Sequence, residues 1–97
     1  FVVVAPEVDG PQAILIGEKL RLAIAERPIL VGEEPTRLTV SVGVADMESY
    51  ADAVRLRGED PRTALPDPHL FLRLADERMY EAKQAGRNCV RYEPANR

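Results

Sequence analysis

Two cations stand around a glycine near the end of the chain: Lys83 before Gly86, and Arg87 directly after it. An ammonium on a flexible stem is a point charge, whereas a guanidinium is a planar, two-pronged donor. Brought together, the two would grip the terminal phosphates of a polyphosphate. Asn88 follows, and its side chain is suited to holding the turn that aims Arg87. A plainer role exists for the same residues. Cations in the last turn of a helix complement the negative end of its dipole, by about 0.3–1 kcal/mol each. Spacing alone favours that plainer role, because such cations are common at helix ends.

The other chemistry-bearing residues form no motif. There is no phosphate loop, no glycine-rich dinucleotide turn and no Cys/His cluster with zinc spacing. His69 is the only histidine and stands at a helix start, where it reads as a polar first-turn residue rather than a base. Asp46 and Glu48 follow a strand pattern, a place where metal ligands sometimes sit. In a chain that is 30% charged, two acids also meet there by chance, so no metal ligand is assigned. Cys89 is the only cysteine, so no internal disulfide can form, which fits a reducing compartment.

Composition narrows the classes further. A length of 97 residues suits one small domain, and 45% apolar content suits one modest core. A net charge of −3 argues against a bulk nucleic-acid binder, so any anion site must be local. No apolar run approaches the roughly 20 residues that cross a bilayer, and residues 1–5 are too short for a signal segment. The expectation is a soluble, cytoplasmic chain without membrane insertion, whose parent protein can still be membrane-tethered.

These residues must be positioned by elements that the pattern outlines. Residues 1–5 are apolar and β-branched up to Pro6, which suits a buried strand. Asp9 and Gln12 form a capping-box start for a helix over 13–25, with Ala13, Ile16, Leu20, Ala23 and Ile24 on its apolar face. Residues 29–32 form a short strand entering a polar turn, with a hairpin as one outcome. Residues 38–44 alternate cleanly and predict a strand. Residues 47–66 are least readable: a helical piece over 50–57, then Gly58 and prolines, in a partly ordered excursion. Asp67 and Pro68 cap a helix over 69–85, which Gly86 stops. A last strand falls over 88–93 and a frayed tail over 94–97. The order implies an α+β sandwich with the helices on one face of a single sheet.

Three blocks, in order, resemble the GGDEF family of diguanylate cyclases. The final helix of that family reads roughly Ala-Asp-x-Ala-Leu-Tyr-x-Ala-Lys-x-x-Gly-Arg-Asn. Residues 75–88 here read Ala-Asp-Glu-Arg-Met-Tyr-Glu-Ala-Lys-Gln-Ala-Gly-Arg-Asn. The family strand Thr-(Val/Ile)-Ser-(Ile/Val)-Gly-Val-Ala is matched at 39–45 by Thr-Val-Ser-Val-Gly-Val-Ala. Residues 1–6, Phe-Val-Val-Val-Ala-Pro, resemble the strand leaving the signature, with Phe1 as its terminal Phe. The helix over 13–25 matches in place and pattern. Residues 47–66 look like a family-variable insertion loop in a single partial domain spanning 1–97.

The resemblance implies a ferredoxin-like, nucleotidyl cyclase-like sandwich with its N-terminal part missing. It implies a bacterial signalling transferase that condenses two GTP into cyclic di-GMP and pyrophosphate in a homodimer, with an upstream sensor domain. Lys83 and Arg87 would bind the GTP phosphates, supported by Gly86, Asn88 and Phe1. Magnesium is implied as the cofactor, with its ligands upstream of this chain. The Gly-Gly-(Asp/Glu)-Glu turn and the metal-binding aspartate before it are not in these residues, so no catalytic residue is assigned and the fragment alone is expected to be inactive. The alternative is a degenerate GGDEF module that binds nucleotide or a partner without turnover.

Overall fold

The computed structural model describes residues 1–92. Its first helix, α1 (Gly10–Ala25), begins with the capping box that the sequence announces. The Asp9 carboxylate accepts from the Gln12 amide at 2.8 Å, and the Gln12 side chain accepts from the Asp9 amide at 3.0 Å. The packed face only partly matches the one picked by apolar periodicity: Ala13, Ile16 and Ile24 are half-buried. Gly10 and Gly17 are the buried residues of α1, while Leu20 and Ala23 are exposed. A Cβ on Gly17 would sit 3.3 Å from both Val42 Cγ1 and Val90 Cγ1. The helix therefore meets the strands through its smallest residue, where the backbone can come closest.

After α1 the chain forms a hairpin. β1 (Ile29–Val31) pairs antiparallel with β2 (Glu34–Thr36), with Val31 opposite Glu34. Gly32 takes φ +67° at the first of the two turn positions, where a tight hairpin turn needs a positive φ. The apolar residues of β1 are all exposed.

Two strand expectations are corrected. Residues 1–5 form no strand, and Phe1, Val2, Val3 and Val4 are exposed. Of residues 38–44, only β3 (Val42–Gly43) is strand. An alternating pattern becomes a strand only where a second strand satisfies its backbone groups. β3 has such a partner in β4 (Val90–Arg91), parallel to it, with Val42 opposite Val90. Val42 N–H donates to the Cys89 carbonyl and Val44 N–H to that of Arg91, both at 2.9 Å. Residues 1–5 and 38–41 have no strand beside them among the described residues.

The parallel pair β3–β4 is bridged by α2 (Met47–Leu56) and α3 (Pro68–Gln84), as parallel strands require a crossover. α2 starts earlier than the pattern suggests. Asp46 caps it, accepting from the Ser49 amide at 2.8 Å and the Ser49 hydroxyl at 2.6 Å. The rest of the excursion is tied back onto α3. Arg57 pairs with Asp67 at 2.5 Å, the Asp67 amide donates to the Tyr50 hydroxyl at 2.8 Å, and the Tyr50 ring meets Phe71 edge-on at 5.4 Å. α3 begins as expected, with the Asp67 carboxylate accepting from Leu70 N–H at 3.1 Å.

The expectation of helices on one face is also corrected. Successive strand residues point to opposite faces. Val42 faces Gly17 of α1, whereas Gly43 faces α3, where a Cβ would collide with Ala75 O and Met79 N. β3 thus runs between two helices. The core is small and lies on the α2–α3 side: Val44, Val54, Leu70 and Ala82. The architecture is α+β with short strands, and the ferredoxin-like sheet is not assembled by the described residues. The expected strand end at Glu93 and the tail over 94–97 lie outside them.

Candidate anion site at the end of α3

α3 closes in a tight, solvent-open turn. Lys83 is the cation of its last turn. Three consecutive residues then take positive φ: Gly86 at 112°, Arg87 at 65° and Asn88 at 49°. Glycine adopts that region freely and asparagine tolerates it, but for arginine it is uncommon. The Arg87 amide donates back to the Ala82 carbonyl at 3.0 Å, which satisfies one of the helix's last acceptors. A Cβ on Gly86 would meet no atom within 4 Å, so the turn faces open space.

Most guanidinium groups of this chain are engaged by the protein. Arg55 and Arg62 pair with Asp52 and Asp60, Arg57 pairs with Asp67, and Arg78 donates to the Val44 carbonyl. Lys83 and Arg87 are exposed and have no hydrogen bond or ion pair among the described residues, a condition they share with Lys19, Arg27 and Arg91. The structure thus places the two sequence-predicted cations on one helix end with their donors unengaged. Asn88 is in the same turn. Phe1 is fully exposed and packs against nothing, so it is not brought into this site.

One contributor has no local sequence signal. Arg21, on α1, donates from Nη1 to the Asn88 side-chain oxygen at 2.9 Å. Glu18 holds the other edge of that guanidinium through Nε at 3.1 Å and Nη2 at 2.7 Å. The hydrogen bond from Arg21 holds the Glu18 carboxyl below its ordinary value.

A second polar cluster lies nearer the middle of α3. Arg78 Nη1 donates to the Val44 carbonyl at 2.7 Å and to the Ser49 hydroxyl at 3.1 Å, and its guanidinium lies over the Tyr92 ring at 5.7 Å. Tyr92 in turn donates to Asp46 at 2.8 Å. Burial alone would raise the Asp46 carboxyl. The Ser49 hydrogen bonds, the Tyr92 hydroxyl and the Arg78 charge together hold it below the usual value. Burial, followed by the bond to Asp46, raises the Tyr92 hydroxyl. Gly10 closes the cluster, because a Cβ there would strike Tyr92.

The residues present do not fit a magnesium pair. Among the described residues, no three His, Cys, Asp or Glu side chains converge. Asp46, the acid best placed after a strand, has both oxygens committed to α2's first turn and to Tyr92. No helix of the described residues is long and apolar enough to cross a membrane.

Fold and site together define a small α+β unit with an unengaged cation pair at a helix end. Over 92 residues, 93% of its length, the chain is 32% identical to the response regulator PleD of Caulobacter vibrioides, in both strain NA1000/CB15N and strain ATCC 19089. PleD is a GGDEF diguanylate cyclase, so the resemblance drawn from three motifs extends over nearly the whole chain. The chain spans 17% of PleD's length. No family model and no solved structure matches it.

Proposed function

We propose that this chain is the C-terminal part of a diguanylate cyclase domain, which in a dimer condenses two GTP into cyclic di-GMP and pyrophosphate. In that reaction the 3′-hydroxyl of each GTP loses its proton and forms a bond to the α-phosphorus of the other, the bond from each α-phosphorus to its own pyrophosphate breaks, and two pyrophosphates leave. Lys83 and Arg87 hold the terminal phosphates and neutralise the charge that builds on the leaving pyrophosphate. Gly86 and Asn88 shape the turn that presents Arg87. The reading assigns nucleophile activation and any magnesium to residues outside this chain, and it assigns the 97 residues alone no turnover. The ferredoxin-like sheet is completed in the same way, by strands that pair with residues 1–5.

The observation that carries this reading is the coincidence of two independent facts. The chain matches a GGDEF protein along nearly its full length. The Lys and Arg that the family motif singles out are the ones the fold leaves exposed and unpaired at one helix end. The test is turnover of GTP by the natural protein that carries this chain, with product resolved by chromatography. Cyclic di-GMP formation that is lost in Lys83→Ala/Arg87→Ala supports it. GTP binding without product favours the degenerate module. Turnover unchanged by the double substitution refutes the assignment.

A further inference from the structure

The α3–β4 turn departs from ordinary backbone preferences. A non-glycine residue at positive φ is uncommon, and Arg87 is followed by a second one at Asn88. Such a pair persists when the surroundings over-determine it. Part of that determination is local: Gly86 opens the turn, and the Arg87 amide is tied to Ala82. The remaining tie comes from α1, 67 residues away in sequence, where Arg21 donates to Asn88. Glu18 engages the Nε and Nη2 edge of the same guanidinium, which leaves Nη1 aimed at Asn88. Two exposed cations carry the site, so an arginine already neutralised by Glu18 can approach them at little electrostatic cost.

We infer that Arg21, oriented by Glu18, is a positioning residue for the anion site: through Asn88 it fixes the left-handed turn that presents the Arg87 guanidinium. It does so from a different helix and without touching the phosphates itself. The inference rests on the proposed binding of GTP at Lys83 and Arg87. It adds that the geometry of this site depends on how α1 lies against the end of α3. A lysine at position 21 would not replace the arginine, because one ammonium cannot hold Glu18 along an edge and reach Asn88 at the same time.

The test uses the natural protein carrying this chain and measures GTP dissociation constants, KM and kcat, with the melting temperature alongside. Arg21→Ala, Arg21→Lys and Asn88→Gly are each expected to weaken GTP binding about tenfold, with KM raised accordingly and kcat lowered alongside, because Arg87 also meets the charge on the leaving pyrophosphate. Asn88→Gly is informative because glycine readily adopts the positive φ while the side-chain amide that accepts from Arg21 is gone. The double variant Arg21→Ala/Asn88→Gly is expected to be no weaker than either single one, the sign of one shared contact. Effects that multiply, or unchanged affinity in Asn88→Gly, overturn the inference. So does a loss in kcat and melting temperature with KM unchanged. If Lys83→Ala and Arg87→Ala leave GTP affinity intact, it is the GTP reading that fails. The Arg21–Asn88 contact is then judged by non-additivity of the same variants in melting temperature.

Discussion

The two polar regions along α3 each carry an arginine and do opposite things. Toward the middle of the helix, Arg78 is enclosed by the Val44 carbonyl, the Ser49 hydroxyl and the Tyr92 ring, and Asp46 is committed to Ser49 and Tyr92. At its end, Lys83 and Arg87 are exposed and unpaired among the described residues. The first cluster ties β3, α2, α3 and residue 92 together, and its charges are satisfied internally. The second leaves its charges available to something outside. A buried charge network stabilises only while complete, whereas an exposed cation contributes little to folding and much to an anion. Burial and partnership, rather than residue type, separate scaffold from site here.

That contrast can be broken first at the packing beneath both regions. Gly43→Val forces a side chain into Ala75 and Met79 of α3, where backbone cannot yield. The expected loss is about 3 kcal/mol or more, read from urea unfolding, and a melt within error of wild type contradicts the helix–strand contact described.

The next effect is smaller. Arg78→Ala leaves the Val44 carbonyl and Ser49 hydroxyl with one donor fewer and removes a charge that faces Asp46. A destabilisation of about 2 kcal/mol is expected, with GTP affinity unchanged below the melting transition. Loss of affinity without loss of stability would place Arg78 in the site rather than the scaffold.

The smallest effect is on pH dependence. The Asp46 carboxyl lies below its ordinary value in the folded protein. Its contribution is therefore complete above the unfolded carboxylate pKa of about 3.9 and is lost as pH falls through the folded value. Asp46→Asn is expected to flatten the acid limb of the stability curve below about pH 4 and to leave its slope near neutrality unaltered. An acid limb identical to wild type would show that Asp46 is not held as described.

Sequence pattern reached the elements whose signals are local. The Asp9–Gln12 box, the Asp67–Pro68 start and the Gly86 stop each follow from the chemistry of a few adjacent residues, whereas the turn expected after Gly32 falls on Gly32 and Glu33, with Glu34–Thr36 already strand. Residues 1–5 and 38–41 carry strand composition without strand partners, and pairing is a property of the whole sheet. Periodicity reaches only part of the packed face of α1, because it ranks large apolar residues, whereas this helix comes closest through Gly10 and Gly17. The start of α2 is hidden in the sequence, because an acid after a strand pattern reads equally as a metal ligand or as the helix cap that Asp46 is. That Lys83, Arg87 and Asn88 share one helix end is legible from the Gly86 stop, whereas the Arg21–Asn88 contact is not, since it crosses most of the chain.

The most direct test of the central claim is calorimetric titration of the natural protein with GTP and, separately, with GMP. A grip on terminal phosphates predicts that GTP binds more tightly than GMP. It also predicts that Lys83→Ala/Arg87→Ala removes that difference, weakening GTP about a hundredfold while leaving GMP unchanged. Equal loss for both nucleotides, or no loss for GTP, would contradict it.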